Sequence, residues 1–356
     1  MKRAIQIVAS VLCIFVLLQG CAKSPYRANS GKTKTITDCI GRKVIIPEKP
    51  QRVACLYAAT AHMLVLVDEG GKIVGSPDGV KRDVAMQIKY PGIKNISVPF
   101  QNGSINVEEL LKINADIALV RKSTAENPAE AEKLNRLNIP YAVVDFSSVN
   151  ELKKAITVIG NIFDKRAVTD SYIRYMDDTF AYVKNRLNGL GDQQKISVYH
   201  SLNQATKSYS SGCISADIIN IAEVKNVAAN ADLGNGESGR DTTLEQIYSW
   251  NPQAIMVNDY NVVGYIYSNK KWQGLTAVQN KKVIALPVGL SRWGHFGSIE
   301  PQMGALFIAS TLYPDRFRDL NLTQTVKDYY TRFFKLNITE TIAQKILSGE
   351  GMRAAK

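Results

Sequence analysis

Residues 166–187 read RAVTDSYIRYMDDTFAYVKNRL, and they decide the architecture. Within them Val168, Tyr172, Tyr175, Thr179, Tyr182 and Leu187 recur at spacings of three to five, the period of one face of an α-helix. A helix of about 22 residues runs roughly 33 Å at 1.5 Å per residue, long enough to lie along two lobes. A second helical pattern, Val149 to Phe163, precedes it with no strand between, and Asn188-Gly189-Leu190-Gly191 stops it. An ordinary surface helix would show the same period. Its place near mid-chain, between two regions where strand and helix alternate, favours a rod joining two lobes.

Upstream, Thr35 to Pro47 has the pattern of a small hairpin, and Arg52 to Tyr57 that of a short apolar strand. Helical spacing over Ala59–Glu69, a strand at Lys72–Gly75, a helix over Asn106–Ile113, a strand at Ile117–Val120, a helix over Ala129–Leu137 and a strand at Tyr141–Asp145 follow. Downstream the alternation restarts, with strands at Lys195–His200, Ala254–Asn258 and Lys282–Pro287 and helices from Ala216, Thr243 and Pro301. Strand and helix in turn imply parallel sheets with helical crossovers. The expected division is an N-terminal α/β lobe over 35–165, an inter-lobe helix over 166–188, and a C-terminal α/β lobe with closing helices over 189–349. A ligand in such a chain sits between the lobes.

The first residues read as an export signal: Met1-Lys2-Arg3 is basic, and Ala4 to Leu18 is an apolar run broken by Gln6 and Ser10, too short for a spanning helix. Leu18-Gln19-Gly20-Cys21 then resembles a bacterial lipoprotein site, with Cys21 as the acylated residue, 1–20 as the signal and 21–34 as a polar tether. Loss of Lys2 and Arg3 takes the formal charge from +12 to +10, since the signal carries no acidic residue. The basic residues are spread along the chain without clustered aromatics, which speaks against nucleic acid and for an anionic ligand. Cys39, Cys55 and Cys213 remain, an odd number without metal-type spacing; a Cys39–Cys55 bridge and buried thiols are both open. No H-E-x-x-H, G-x-S-x-G or C-x-x-C occurs, so hydrolytic and redox chemistry have no sequence support, and neither an enzyme nor a cofactor is expected.

Ligand loops in α/β sheets lie at the carboxyl ends of strands. In the first lobe these offer Tyr57, Phe100, Gln101 and Arg121; in the second, Asn203, Tyr209, Tyr260 and Ser291-Arg292-Trp293-Gly294-His295. Arg292 is a bidentate anion donor, Trp293 a flat apolar face, and His295 a donor or a metal ligand. The plainer alternative packs Trp293 under the lobe and pairs Arg292 with a surface carboxylate. Arg240, after a glycine-rich run, is a further candidate; His62 and His200 read as structural.

Certain segments together resemble the binding proteins of metal-chelate and cobalamin ABC importers: Asp38-Cys39-Ile40-Gly41-Arg42, Asn106-Val107-Glu108-Glu109-Leu110-Leu111, Ala115-Asp116-Ile117-Ala118-Leu119-Val120, Leu244-Glu245-Gln246 with Trp250-Asn251-Pro252-Gln253, and Gly274-Leu275-Thr276-Ala277-Val278. The resemblance runs in order from about Thr35 to Phe317. It implies two Rossmann-like lobes, capture of solute outside the cytoplasm, and delivery to a permease dimer driven by a cytoplasmic ATPase. It also implies that one glutamate per lobe, here Glu108 and Glu245, docks on permease arginines, although both would also complement a helix N-terminus. The ligand expected is a ferric siderophore or similar chelate, flanked by Tyr57, Phe100, Tyr260 and Trp293 and balanced by Arg292 and Arg240. A corrinoid, haem or a molybdate-type oxyanion is the alternative. A metal-cluster enzyme on a nitrogenase-like paired-lobe fold is the rival of another class, and it would need cysteine ligands that the spacing does not offer. A sensor or adhesin on the same fold is a third.

Overall fold

A computed structural model describes residues 31–233 and 239–354. Cys21, the signal segment and residues 234–238 lie outside the described residues. The hairpin forms from β1 (Thr33–Thr37) and β2 (Lys43–Pro47), paired antiparallel, so the last two residues of the expected tether belong to a strand. Its turn is held by Asp38, whose carboxylate accepts from the Ile40 and Arg42 amides, from Arg42 Nε (2.9 Å) and from the Val143 amide (3.1 Å). Gly41 takes φ +84° there, a conformation that glycine adopts without strain. One buried carboxylate thus fastens the hairpin to the first sheet.

That sheet comprises β3 (Val53–Cys55), β4 (Ile73–Gly75), β5 (Ile117–Val120) and β6 (Tyr141–Val143) in the order β4-β3-β5-β6, all parallel. Every residue of β3 and β5 is buried, which is why these strands read as unbroken apolar runs rather than alternating ones. Helices α1 (Ala58–Leu66), α2 (Val107–Lys112) and α3 (Val149–Ile162) accompany it. The second sheet, also parallel, is built from β7 (Ser197–Ser201), β8 (Lys225–Asn226), β9 (Ala254–Val257) and β10 (Val283–Ala285) in the order β8-β7-β9-β10.

Between them lies α4 (Arg166–Arg186). It packs against α3 on one side and against α7 (Pro301–Leu312) on the other, once α5 (Ile214–Ile221) and α6 (Leu244–Trp250) have been passed along the chain. The fold is therefore the expected pair of α/β lobes with a long helix between. Its buried seam is Thr169, Tyr172, Met176, Thr179 and Val183, which keeps Tyr172 and Thr179 of the face read in the sequence and replaces Val168, Tyr175 and Tyr182 by the residue after each. Val168 is exposed, and Tyr175 and Tyr182 flank the seam half-buried, as amphipathic rings at the edge of a contact do. The Tyr172 hydroxyl donates to the Ile299 carbonyl (2.7 Å) and meets the Tyr329 hydroxyl (2.7 Å), tying the rod to the second lobe.

The turn from α3 into α4 is tight because Gly160 has no side chain: a Cβ there would run into Thr169 Oγ1. Gly160→Val is expected to cost about 1–3 kcal/mol, as overpacking does. Urea denaturation reads this, and an unchanged midpoint would contradict so close an approach.

The closing helices do more than complete the second lobe. Helix α8 (Leu322–Phe334) packs across onto α1 of the first lobe, and Lys335 Nζ bonds Asp68 Oδ2 at 2.6 Å. An aromatic cluster fastens α8 to the rod as well, with Tyr172 and Tyr175 of α4 and Tyr329 and Phe333 of α8 ring to ring at 4.9–6.3 Å. Helix α9 (Glu340–Ser348) follows and ends at Gly349 in the left-handed region. Cys39 and Cys55 are thiols, not a disulfide. Burial pushes Cys55 up to about 12 and Cys39 to about 11, so neither is a nucleophile.

Candidate ligand-binding site

The strand ends of the first lobe and the 291–297 loop of the second face a cavity of about 450 Å³. Tyr57 follows β3 and Arg121 follows β5, so both emerge at the carboxyl edge of the first sheet. Arg121 stacks its guanidinium over the Tyr57 ring (4.6 Å), bonds Asp145 through Nε (3.2 Å), and lies 5.9 Å from the ring of Phe296 in the opposite lobe. Phe100 and Gln101 form part of the same wall. The Tyr57 hydroxyl is buried without a partner among the described residues, and burial raises its pKa. It remains an O–H donor at any physiological pH.

The second lobe contributes Ser291, Arg292, His295, Phe296 and Gly297. Arg292 Nη1 donates to Asn203 Oδ1 (2.7 Å), and no carboxylate lies within ion-pair distance of it among the described residues. Burial, and then the field of Arg353, bring its pKa down to about 10; at neutral pH it is still a cation. His295 Nδ1 accepts from the Gly297 amide (3.2 Å), which leaves the proton on Nε2. Its pKa lies well below the usual range because it is buried and because Arg292 and Arg353 are close. His295 is a neutral donor, and among the described residues no three His, Cys, Asp or Glu side chains gather to hold a metal.

Other expected site residues stand elsewhere. Trp293, expected to present its face, is fully buried: the loop turns its largest apolar side chain into the lobe, where burial of such area stabilises most. Tyr209 is buried too, and its hydroxyl meets His200 Nδ1, while His200 Nε2 donates to Asn258 Oδ1 (2.9 Å). This layer supports the loop from beneath, since a Cβ on Gly294 would come within 2.6 Å of Asn258 Oδ1. Asn203 acts through Arg292. Arg240 pairs with Asp232 on the surface (2.8 Å), and Tyr260 is exposed at the start of a helix (Tyr260–Ser268) that periodicity did not reveal; neither lines the cavity.

Several lining residues carried no signal in the sequence. His62, read as structural within α1, lies in the wall with Nε2 on Asp83 Oδ2 (3.0 Å). Arg353, from the last described residues, bonds Asp83 Oδ1 (2.5 Å). Beneath the loop, Glu300 accepts from the Ser291 amide (2.6 Å), the Ser291 hydroxyl (2.8 Å) and the Tyr330 hydroxyl (2.5 Å). Burial raises its pKa. Glu108 and Glu245 are exposed in the first turns of α2 and α6, one per lobe, behind the capping side chains of Asn106 and Thr243.

The buried histidines set a pH dependence. His295 is depressed well below its usual value and His200 falls to about 4, in each case chiefly by burial. The unfolded chain takes up protons near pH 6.5 that the folded one refuses, so their contribution is present above about 6.5 and is lost as pH falls below it. Each removes about 1.4 kcal/mol per pH unit, and Glu300, whose raised pKa acts with opposite sign, offsets part of this. Thermal melts are expected to fall from pH 6.5 to 5, and less steeply for His295→Asn. Coincident profiles would contradict a neutral His295.

A profile of periplasmic binding proteins matches residues 53–288. The chain belongs to the periplasmic binding protein family. This binding protein is similar to the molybdate-binding protein MolA of Haemophilus influenzae, with 27% identity over 344 residues, covering 90% of this chain and 96% of the relative. The structure of MolA bound to molybdate aligns with a TM-score of 0.76 at 24% identity, over 86% of this chain and 99% of that one. A periplasmic solute-binding protein from Veillonella parvula aligns at 0.77 and 21% identity, covering 90% and 98%. Helicobacter pylori CeuE with Ni(II) bound aligns at 0.72 and 21% identity, covering 88% and 99%. By its family the chain is thus an extracytoplasmic binding protein. Among the described residues no helix is long and apolar enough to cross a membrane.

Proposed function

We propose that this binding protein captures a small, multiply charged oxyanion of the molybdate type in the cleft and delivers it to its ABC permease. One observation carries the reading: Arg292 sits partly buried in the cavity wall, hydrogen-bonded to a neutral amide and lacking a carboxylate partner among the described residues. Asp83 and Asp259 act on it only from beyond ion-pair distance and do not offset burial and Arg353, so a bound anion would supply the direct partner that a cation held out of bulk water needs. Arg121, the Tyr57 hydroxyl and neutral His295 add donors on the same cavity, and a tetrahedral anion uses several converging N–H and O–H groups at once. The likeness to a molybdate-binding protein over most of the chain supports the same ligand class.

A ferric siderophore is the second reading. Phe100 and Phe296 favour it, because they leave apolar wall beside the cations. Two of the four rings that were to flank a chelate, Trp293 and Tyr260, do not line the cavity, and Arg121 covers the Tyr57 face. Delivery would use Glu108 and Glu245 as docking carboxylates, with an acyl group on Cys21 holding the protein at the membrane. Isothermal titration decides the ligand. Molybdate or tungstate should bind with saturable heat and ferric citrate or a ferric catecholate should not; the reverse pattern removes the oxyanion.

A further inference from the structure

We propose that the segment after α9 is a strap that crosses from the second lobe to the first and makes Arg353 an anion-binding residue of the cleft. The proposal rests on the oxyanion reading for its ligand class, but not for its geometry. The strap leaves the end of α9, which is fixed to the second lobe where the Val288 amide donates to the Ile346 carbonyl (3.0 Å). It ends on the first. The Val84 amide donates to the Met352 carbonyl (3.2 Å) and the Ala354 amide to the Arg82 carbonyl (2.9 Å), an antiparallel bridge that sets Arg353 opposite Asp83. Met352 is fully buried and holds this crossing in place.

The bridge delivers the guanidinium to the cavity wall that also holds Arg292 and His295. Nη1 bonds Asp83, which is shared with His62, so one carboxylate serves two donors. Nη2 lies 3.1 Å from where a Cβ of Gly79 would stand, and the bare backbone there gives it room. A guanidinium has five N–H donors, and the bond to Asp83 uses one of them. The field of Arg353 also reaches the other lobe, where after burial it helps to depress both Arg292 and His295. The site therefore draws on the first lobe, on the 291–297 loop of the second, and on the strap.

The competing role is a clip, with Arg353 serving only to neutralise Asp83 and fasten the lobes. Titration of the full chain with molybdate, tungstate and ferric citrate separates the two. Arg353→Gln should weaken whichever probe the wild type binds by about 10- to 100-fold, the worth of a charge-assisted hydrogen bond. Asp83→Asn removes the carboxylate that neutralises the guanidinium and repels an anion in the cavity, so it should tighten binding of an anionic probe, whereas a clip would lose as much here as in Arg353→Gln. Arg353→Lys keeps the charge while losing the planar fork, and should fall about tenfold; it serves if the glutamine variant does not fold. Affinity within twofold of wild type for the arginine variants, or an equal loss in Asp83→Asn, overturns the contact role. A wild type that binds only ferric citrate removes the oxyanion reading yet still scores Arg353 on that probe. A wild type that binds none of the three overturns both.

Discussion

Arg292→Gln is expected to lower molybdate affinity by about 100-fold while leaving the chain at least as stable as wild type. The two effects have one cause. Its partner is the Asn203 side chain, and burial and Arg353 together hold its pKa near 10 against an ordinary value of 12.5. The fold therefore penalises the charge, and glutamine removes that penalty. Binding loses a desolvated charge contact, worth about 2–5 kcal/mol when truncated on one side. Titration calorimetry gives the first quantity and a thermal melt the second. A structural arginine would behave oppositely, with stability falling and affinity unchanged. Arg121→Gln should not separate them, because Arg121 is paired with Asp145 and its removal leaves that carboxylate, among the described residues, with only the Lys122 and Phe146 amides and no cation.

Glu300→Ala is expected to destabilise the chain by about 3–5 kcal/mol and to weaken ligand binding as well. The carboxylate is fully buried and gathers three donors: the Ser291 amide, the Ser291 hydroxyl and the Tyr330 hydroxyl. Alanine leaves them facing one another in a dry space, and each buried group without a partner costs about 1–3 kcal/mol. Ser291 precedes Arg292, so the loop that carries the anion donor loses its footing too. Glu300→Gln should be milder, about 1–2 kcal/mol, because its amide oxygen still accepts from the Ser291 amide and hydroxyl and only the bond from Tyr330 is lost. Urea denaturation measures both, and an alanine variant as stable as glutamine would show that the loop is held by something else.

Much of the fold could be read from residue patterns because short-range chemistry makes it. The apolar runs at Val53–Cys55 and Ile117–Val120 could only be doubly buried strands, and the interval between them set the parallel order. The rod at 166–187 was legible in period and only partly in phase, with Tyr172, Thr179 and Leu187 buried as read. Tyr175 and Tyr182 count as apolar in a pattern, yet they settle at the border of the contact, and Thr169 and Met176 take the seam. The short helices Asp78–Lys81 and Val84–Lys89, which carry Asp78, Gly79 and Asp83 to the cavity, are too brief for periodicity to register.

The site was legible where strand ends dictate position, as at Tyr57 and Arg121, and in the composition of the 291–297 loop. It was illegible where side-chain direction depends on distant packing. Nothing local distinguishes Arg292, which faces the cavity, from its neighbour Trp293, which turns inward. Arg353 is the extreme case, since its place depends on a bridge to a segment 270 residues away. His62 sits in a helix whose other residues are core, and only the Asp83 pairing reveals its exposure to the cavity.

The most direct test of an anion site between the lobes is anomalous diffraction from crystals soaked in tungstate. The account requires a tungsten peak inside the cleft, within hydrogen-bonding reach of Arg292 and of at least one donor from the first lobe. A peak confined to an outer face such as the Arg240–Asp232 surface, or none in the cleft at saturating tungstate, would contradict it.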